Sequence, residues 1–389
     1  MTSSPFADRL IDLSNSGLLA LMVSIGHRTG LFDAMATVSA ATSSEIADRA
    51  GLNERYVREW LAAMTTGRMV DHDPREMTFT LPAEHAAHLT RAAGAGNSAV
   101  GFQLLGMLAA VEDQVVDCFW RGVGLPSSEF SRFQAICAEL SWAALDAGLL
   151  EAVLPLVPGL SQRLHGGIDV ADVGCGWGHA LNLMAEAFPA SRFVGCDVSD
   201  EALAAGRTEA ERKGLGNVQF ERRDASAIGV TEGFDFITSF GVVHDQARPD
   251  LVLRGIARAM RPGGTYLCVE IGASSTLADN VGLPWAAGMY TLSCMHCIPV
   301  SLASGGTGLG AMWGDQLARQ LFAEAGLLVQ DVKQLPPDPF NNYYIATKDR
   351  SSDDQPELQQ PELQVQPAGS RQHPNPMADN SATQEEYPE

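Results

Sequence analysis

The chain has 389 residues, of which 46% are hydrophobic, so it is long enough for two or three domains with buried cores. Its formal net charge of −21 gives an acidic surface that repels phosphate backbones and anionic lipids, and we expect neither nucleic acid nor a membrane as partner. We expect a cytoplasmic protein for three reasons. The seven cysteines are scattered, the N-terminus lacks the order of a signal peptide, and no apolar run is expected to be long enough to span a bilayer.

Residues 1–96 are predicted to form a winged-helix domain. In SSEIADRAGLNERYVREWLAAMTTGRMV, apolar residues fall at helical spacing on both sides of Gly51, which predicts two helices joined by a tight turn. Ser43 or Ser44 is expected to cap the first helix. Two short strands are predicted around a turn at Asp73, and a helix-turn-helix followed by a hairpin is typical of a winged helix.

The remainder divides into three further segments. Helical periodicity over residues 97–160 predicts a helical linker. From residue 161 to 348, strand patterns (IDVADVG, RFVGCDVS, VQFERRDA, FDFITSF, TYLCVEI) alternate with helix patterns, which predicts an α/β fold with a doubly wound, Rossmann-like sheet. Residues 349–389 are acidic and rich in Gln, Pro and Ser, and we expect this tail to be disordered.

Three glycines follow the first strand of this sheet, in DVGCGWG. Gly174, Gly176 and Gly178 occupy every second position, which indicates a backbone that turns sharply and approaches a ligand closely. A dinucleotide fingerprint needs its third glycine five residues after the first, and that position is His179, so the spacing disfavours a nicotinamide cofactor.

Two acidic residues end the next two strands of the predicted sheet. Ligands of such sheets bind at the carboxyl ends of the strands. Asp197 ends the second strand, where its carboxylate can accept hydrogen bonds from both hydroxyls of a ribose. Asp224 ends the third, where an adenine edge would lie.

Together with the FDFITSF strand and the RPGG turn, these motifs resemble those of class I S-adenosylmethionine-dependent methyltransferases over roughly residues 168–348. The resemblance implies S-adenosyl-L-methionine as cofactor, its methionine end at the glycines, its ribose at Asp197 and its amine near Asp172. The residues implied to bind the cofactor are Asp172, Gly174, Cys175, Gly176, Gly178, Asp197, Val198, Asp224, Ala225 and Phe240.

The N-terminal half carries a second resemblance. ALMVSIGHRTGLFDAMA followed by a winged helix is similar to plant-type O-methyltransferases, and CMHCIPVSLASGGTGLGAMWG resembles a stretch of a bacterial winged-helix methyltransferase family of uncertain substrate. In these relatives the winged helix serves dimerisation, so the resemblance implies a homodimer through the N-terminal domain. DNA binding is the alternative, but Glu54 and Glu59 cancel the charges of Arg55 and Arg58 on the second helix.

The candidate catalytic residues lie just beyond the fourth strand, in SFGVVHDQARP. Methylation of a hydroxyl or protonated amine requires a base, and a histidine suits that role. The resemblance to plant-type O-methyltransferases implies a His244–Asp245 catalytic pair, although the family's usual tryptophan after the pair is Gln246 here. The alternative is that His244 is structural and caps the next helix.

The segment between the fifth strand and the last helix is expected to cover the acceptor pocket. We expect Trp285, Met289, His296 and Trp313 to line a pocket for a small, partly hydrophobic acceptor. Cys294 and Cys297 form a C-x-x-C, but no second pair of ligands lies nearby in the sequence, so we predict no metal site.

The sequence therefore predicts methyl transfer from S-adenosylmethionine to a small-molecule acceptor, with O-methylation preferred. N- or S-methylation, and a cofactor-binding regulator that signals through its winged helix without catalysis, remain open. A macromolecular methyltransferase is disfavoured, because an RNA substrate would normally need a basic groove.

Overall fold

Helices make up most of the first half of the chain, and a mixed sheet organises the second. The structure is a computed structural model that describes residues 4–348, so the predicted disordered tail lies outside the described residues. The α-helices are α1 (Pro5–Thr29), α2 (Leu31–Ala36), α3 (Ser43–Ala50), α4 (Glu54–Thr66), α5 (Ala83–Leu89), α6 (Gln103–Ala109), α7 (Glu112–Arg121), α8 (Phe133–Gly148), α9 (Leu160–Gly166), α10 (His179–Ala187), α11 (Asp200–Lys213), α12 (Pro249–Ala259), α13 (Leu277–Asn280), α14 (Ala286–Leu292), α15 (Ile298–Ala303) and α16 (Gly314–Glu324).

The strands are β1 (Asp71–Asp73), β2 (Thr78–Thr80), β3 (Asp169–Val173), β4 (Arg192–Asp197), β5 (Val218–Arg222), β6 (Phe234–Phe240), β7 (Met260–Ile271), β8 (Leu327–Leu335) and β9 (Asp338–Lys348). Short 3-10 turns include Ala225–Ala227 and Val243–Asp245, and a π-helical turn, Ser293–Cys297, joins α14 to α15. The described residues are not divided into smaller units by their contacts, so the domain boundaries after residues 96 and 160 stay predictions.

The predicted helix-turn-helix and hairpin are present as α3, α4 and the antiparallel pair β1–β2. The N-cap of α3 is Thr42 and not Ser43 or Ser44: its side chain accepts the N–H of Glu45, and the Glu45 carboxylate accepts the N–H of Thr42 at 2.8 Å. This reciprocal capping box outcompetes the serines, which lie inside the helix.

The basic side chains of α4 are paired along the helix. Arg55 Nη1 lies 2.5 Å from Glu59 Oε2, and Arg58 Nη2 lies 2.6 Å from Glu54 Oε2. Each pair has i,i+4 spacing, which a helix surface favours. The charge cancellation expected from the sequence is thus realised within α4.

The seven-stranded sheet has the order β5-β4-β3-β6-β7-β9-β8. Strands β3 to β7 run parallel, and β9 lies antiparallel to both β7 and β8. This confirms the predicted doubly wound α/β fold. The strand order reverses between β3 and β6, and ligands of such sheets bind at the carboxyl ends of the strands next to this point.

Both faces of the sheet are covered by apolar helix faces. Leu181 and Met184 of α10 and Leu203 of α11 pack on one face, while Ile256 of α12 and Phe322 of α16 pack on the other. A parallel sheet covered on both sides explains why its strands appear in the sequence as nearly continuous apolar runs.

Two helical segments of the described residues, Pro5–Thr29 and Ala286–Ala303, are long and apolar enough to cross a membrane by length and composition, each with a mean hydropathy of 1.2. The expectation that no run reaches this length is therefore wrong. Isolated polar residues interrupt both segments, so neither appears in the sequence as a continuous apolar run. About a third or less of each segment is buried inside the fold (28% and 33%).

Candidate active site

The glycine turn after β3 is fastened to the end of β4. The N–H groups of Gly174 and Cys175 donate to the carbonyl of Cys196 at 2.8 and 3.0 Å. The N–H of Gly176 donates to Asp197 Oδ2 at 2.9 Å. The turn and the carboxylate are thus held side by side at the carboxyl edge of the sheet.

The residues after β4 and β5 extend this edge. Asp197 Oδ1 accepts the N–H of Ser199 at 2.9 Å, and Val198 between them is 59% exposed, which leaves an apolar side chain open to a ligand. Asp224 caps its 3-10 turn by accepting the N–H of Ser226 at 2.8 Å, and Ala225 is buried beneath it. Because β3, β4 and β5 are neighbours, the predicted ribose and adenine residues follow the glycine turn in order along one edge.

The three glycines differ in what a side chain would meet. All have positive φ, at 72°, 53° and 72°. A Cβ on Gly174 would lie 2.5 Å from Val242 Cγ1, and one on Gly178 would lie 2.2 Å from Phe220 Cε1. A Cβ on Gly176 would have no atom of the described residues within 4 Å. Gly174 and Gly178 therefore allow close packing, whereas Gly176 faces open space that a cofactor can occupy.

Gly178→Ala and Gly176→Ala should separate these two roles. We expect Gly178→Ala to lower the free energy of unfolding by about 2–4 kcal/mol, because a clash with Phe220 adds to the strain of positive φ. Gly176→Ala should cost only about 1–2 kcal/mol from the strained φ but should weaken S-adenosylhomocysteine binding. Urea unfolding and calorimetric titration measure the two effects, and equal unfolding losses would contradict this division.

Asp172, at the end of β3, is a buried carboxyl that faces β6. Its Oδ1 accepts a hydrogen bond from Thr238 Oγ1 at 2.7 Å. Burial raises the pKa of Asp172 to about 7, and the nearby charge of Asp197 adds to the rise. Asp172 thus changes its charge near neutral pH.

Phe240, at the end of β6, is half-buried and packs against the core.

Binding of S-adenosylmethionine should therefore depend on pH. The resemblance places the cationic amine of the cofactor near Asp172, and the amine favours the ionised carboxylate. With a pKa of about 7, Asp172 gains a proton as the pH falls, so affinity should drop by up to about tenfold per pH unit below 7 and level off above it. Calorimetric titration across this range measures the effect, and Asp172→Asn should flatten the profile.

His244 lies in the 3-10 turn after β6, and a buried glutamate of β7 holds it. Its Nδ1 lies 2.6 Å from Glu270 Oε2, and Glu270 Oε1 accepts the N–H of Val243 at 2.8 Å. His244 Nε2 lies 3.4 Å from Asp245 Oδ1. The helix-capping alternative is wrong, because the N-cap of α12 is Arg248 and no side chain caps that end. We name Glu270, His244 and Asp245 the acid–histidine cluster.

The two neighbouring carboxylates set the pKa of His244. Burial lowers the pKa of His244, but the carboxylates of Asp245 and Glu270 outweigh this effect and raise the pKa well above its usual value. Carboxylates thus face both ring nitrogens of His244.

Glu270 was missed by the sequence analysis. It is 1% exposed, at the carboxyl end of an otherwise apolar buried strand. Buried carboxylates are rare unless they are paired, so a glutamate in TYLCVEI is a signal that could have identified it.

The insertion between β7 and α16 (residues 272–313) does not bring the four predicted acceptor residues together. His296 is buried between Phe133 and Phe130, with ring centroids 3.6 and 4.6 Å away. Burial lowers the pKa of His296 to about 4, so its ring is neutral at physiological pH. His296 therefore joins the insertion to the helical linker by aromatic packing.

The remaining three residues lie in two other packing clusters. Trp285 and Met289 pack in a small cluster at the start of α14, where Trp285 contacts Phe340 at a centroid distance of 5.9 Å. Trp313 is only 4% exposed and belongs to the core that includes Phe322. The prediction that Trp313 lines the acceptor pocket is therefore wrong, because its indole fills the interior.

The insertion is also joined to the linker through the backbone. The N–H of Leu125 donates to the carbonyl of Pro299, in α15, at 3.0 Å. A Cβ on the preceding Gly124 would lie 1.9 Å from the nitrogen of Ala303. The two chain segments thus touch backbone to backbone at this point.

Comparisons with known proteins agree with this geometry. Residues 17–91 match the family described as "Rv2258c-like winged HTH domain", and residues 164–326 match the family described as "Methyltransferase domain". The chain is 31% identical over 179 residues to an arsenite methyltransferase of Aquipseudomonas alcaligenes, an alignment covering 41% of this chain. The chain spans about half (51%) of that relative's length.

Solved structures show the same fold. A putative O-methyltransferase from Nostoc punctiforme superposes with a TM-score of 0.68 at 16% identity, covering 89% of this chain and 99% of that one. Human N-acetylserotonin methyltransferase, in complex with S-adenosylmethionine, superposes with a TM-score of 0.66 at 14% identity and the same coverage. The chain therefore combines a winged helix-turn-helix domain with a methyltransferase domain that has the class I S-adenosylmethionine-dependent methyltransferase fold.

Proposed function

We propose that the chain transfers the methyl group of S-adenosylmethionine to a small-molecule acceptor, with oxygen as the preferred acceptor atom. The observation that carries the proposal is the position of the acid–histidine cluster beside the glycine turn. Val242, two residues before His244, packs so tightly on Gly174 that no side chain fits between them. His244 therefore lies on the segment that packs against the glycine turn, where the resemblance implies the methionine end of the cofactor.

The proposed reaction needs alignment and one proton acceptor. The acceptor hydroxyl gives its proton to the acid–histidine cluster, and the oxygen attacks the methyl carbon. The O–C bond forms as the S–C bond breaks, and S-adenosylhomocysteine leaves. Alignment supplies much of the rate, and the base contributes the remainder. The resemblance in fold to a mitomycin 7-O-methyltransferase and other O-methyltransferases supports oxygen as the acceptor atom.

The test is a matched screen of acceptors on the full chain. Phenols, anilines and thiophenols of the same carbon skeleton are compared by S-adenosylhomocysteine release and by product mass. Turnover confined to phenols supports the proposal, and turnover confined to amines or thiols overturns the preference for oxygen. Cofactor binding without release of S-adenosylhomocysteine for any acceptor, together with DNA binding, would instead favour a regulator.

We also propose that a second copy of the chain covers α1. We further propose that the protein works in a reducing cytoplasm, because all seven cysteines are free in the structure. Phe6, Leu10 and Leu13 follow one another at helical spacing and are 67%, 50% and 64% exposed. An exposed apolar stripe of this kind marks an interaction surface. Light scattering on a Leu10→Asp, Leu13→Asp variant tests this, with Val281→Asp as a control at another exposed apolar residue, and an unchanged mass would contradict it.

A further inference from the structure

Three side chains of different chemistry meet at the acid–histidine cluster. A ring nitrogen of His244, a carboxylate oxygen of Asp245 and the Sγ of Cys297 all lie within 4.8 Å of one another. His244 and Asp245 come from the turn after β6, whereas Cys297 comes from the π-helical turn of the insertion. Imidazole, carboxylate and thiolate are the ligand types that zinc takes in proteins.

One atom of this group lacks a partner. Asp245 Oδ1 is buried and accepts no hydrogen bond from the described residues. His244 Nε2 lies 3.4 Å from it, which is a charge contact and not a hydrogen bond. The Cys297 thiol lies close enough to interact with the Asp245 carboxylate, and a cation bound between them would remove the cost of the unpaired buried oxygen.

The surroundings of His244 match those of a metal ligand. A metal-binding histidine usually donates its other ring N–H to a carboxylate, which fixes the ring and its tautomer. Glu270 holds Nδ1 at 2.6 Å and leaves Nε2 to face Asp245. The negative charge of two carboxylates around one imidazole also favours a divalent cation.

A second thiol lies nearby. Cys137, on α8, is close enough to Asp245, Cys297 and His244 to interact electrostatically with each of them. Its sulfur is not among the ligand atoms that lie within 4.8 Å of one another, so Cys137 stays outside the three-residue group.

We propose that His244 Nε2, Asp245 Oδ1 and Cys297 Sγ bind a divalent transition-metal ion, with zinc as the best fit, and leave a fourth position for the acceptor. This goes beyond the proposed function, since proton transfer to the acid–histidine cluster needs no metal. A cation there makes a coordinated acceptor hydroxyl more acidic and fixes its oxygen. C-x-x-C spacing did not predict the site, because only one of its two cysteines takes part.

The test is a cobalt titration of the full chain after treatment with a chelator. Cobalt replaces zinc in such sites, and a thiolate ligand gives it a charge-transfer absorption band in the near ultraviolet. We expect one equivalent of Co²⁺ to produce this band and zinc to abolish it. Cys297→Ser should remove the band, and His244→Ala should weaken cobalt binding by at least about 100-fold.

Cys294→Ser is the matched control, because Cys294 is the other thiol of the same C-x-x-C and lies outside the cluster. Unchanged S-adenosylhomocysteine affinity shows that each variant is folded. Absence of the band in the wild type, its persistence in Cys297→Ser, or its equal loss in Cys294→Ser would overturn the proposal. Since the readout is cobalt binding, failure of this site and failure of methyl transfer are distinguished.

Discussion

Replacing His244 by Ala is expected to lower kcat for methyl transfer by about 10²–10⁴-fold, the usual contribution of a positioned acid or base. Its Kd for S-adenosylmethionine should stay within about twofold, because most of the residues predicted to hold the cofactor follow β3, β4 and β5. The substitution removes the group between the two carboxylates and leaves the buried Glu270 without its histidine partner. Single-turnover kinetics and calorimetric titration measure the two quantities.

Glu270→Gln provides the companion measurement. The amide keeps the shape of the side chain, but it removes one negative charge and has a single oxygen to accept from either His244 or the N–H of Val243. We expect a smaller loss of kcat than in His244→Ala and a shifted pH profile. A His244→Ala protein with full turnover and intact cofactor affinity would show that the acid–histidine cluster takes no part in the reaction.

Asp197→Ala should weaken binding of S-adenosylmethionine and S-adenosylhomocysteine by about 100-fold or more. Two hydrogen bonds from ribose hydroxyls to a carboxylate are worth about 1.5–3 kcal/mol each. The substitution also frees the N–H groups of Gly176 and Ser199, so the glycine turn loses its fastening to β4.

Calorimetric titration is again the measurement, with Asp197→Asn as the control that keeps one oxygen for the turn. We expect the asparagine variant to bind more weakly than the wild type but more tightly than the alanine variant. Unchanged affinity in a folded Asp197→Ala protein would mean that the ribose is held elsewhere. Absence of binding to the wild type would mean that the turn serves another ligand.

The sheet was predictable because its information is local. Strands covered on both faces give apolar runs, and each of β3, β4 and β5 ends in a turn or acidic residue that the sequence shows directly. The cofactor edge follows from the same pattern, since parallel strands bring their carboxyl ends to one side. The glycine turn and Asp197 were thus predictable as neighbours at one edge of the sheet, whereas the hydrogen bond between Gly176 and Asp197 was not.

The acceptor end was less predictable because distant segments form it. Glu270 approaches His244 only through the pairing of β6 with β7, and Cys297 does so only through the packing of the insertion. Trp313 was assigned to the acceptor pocket but lies in the core. Residue spacing does not show whether an aromatic residue of an insertion lines a pocket or packs in the interior. The predicted N-cap of α3, Ser43 or Ser44, lies only one or two residues from the observed N-cap, Thr42.

The backbone contact between Leu125 and Pro299 bears on how an acceptor enters. Because the insertion is hydrogen-bonded to the helical linker, we expect the two segments to move together if the insertion covers the acceptor as predicted. Collective shifts of packed helices take microseconds to milliseconds, in the range where they can set kcat. Hydrogen–deuterium exchange at the Leu125 amide should therefore report how often the contact between the linker and the insertion opens.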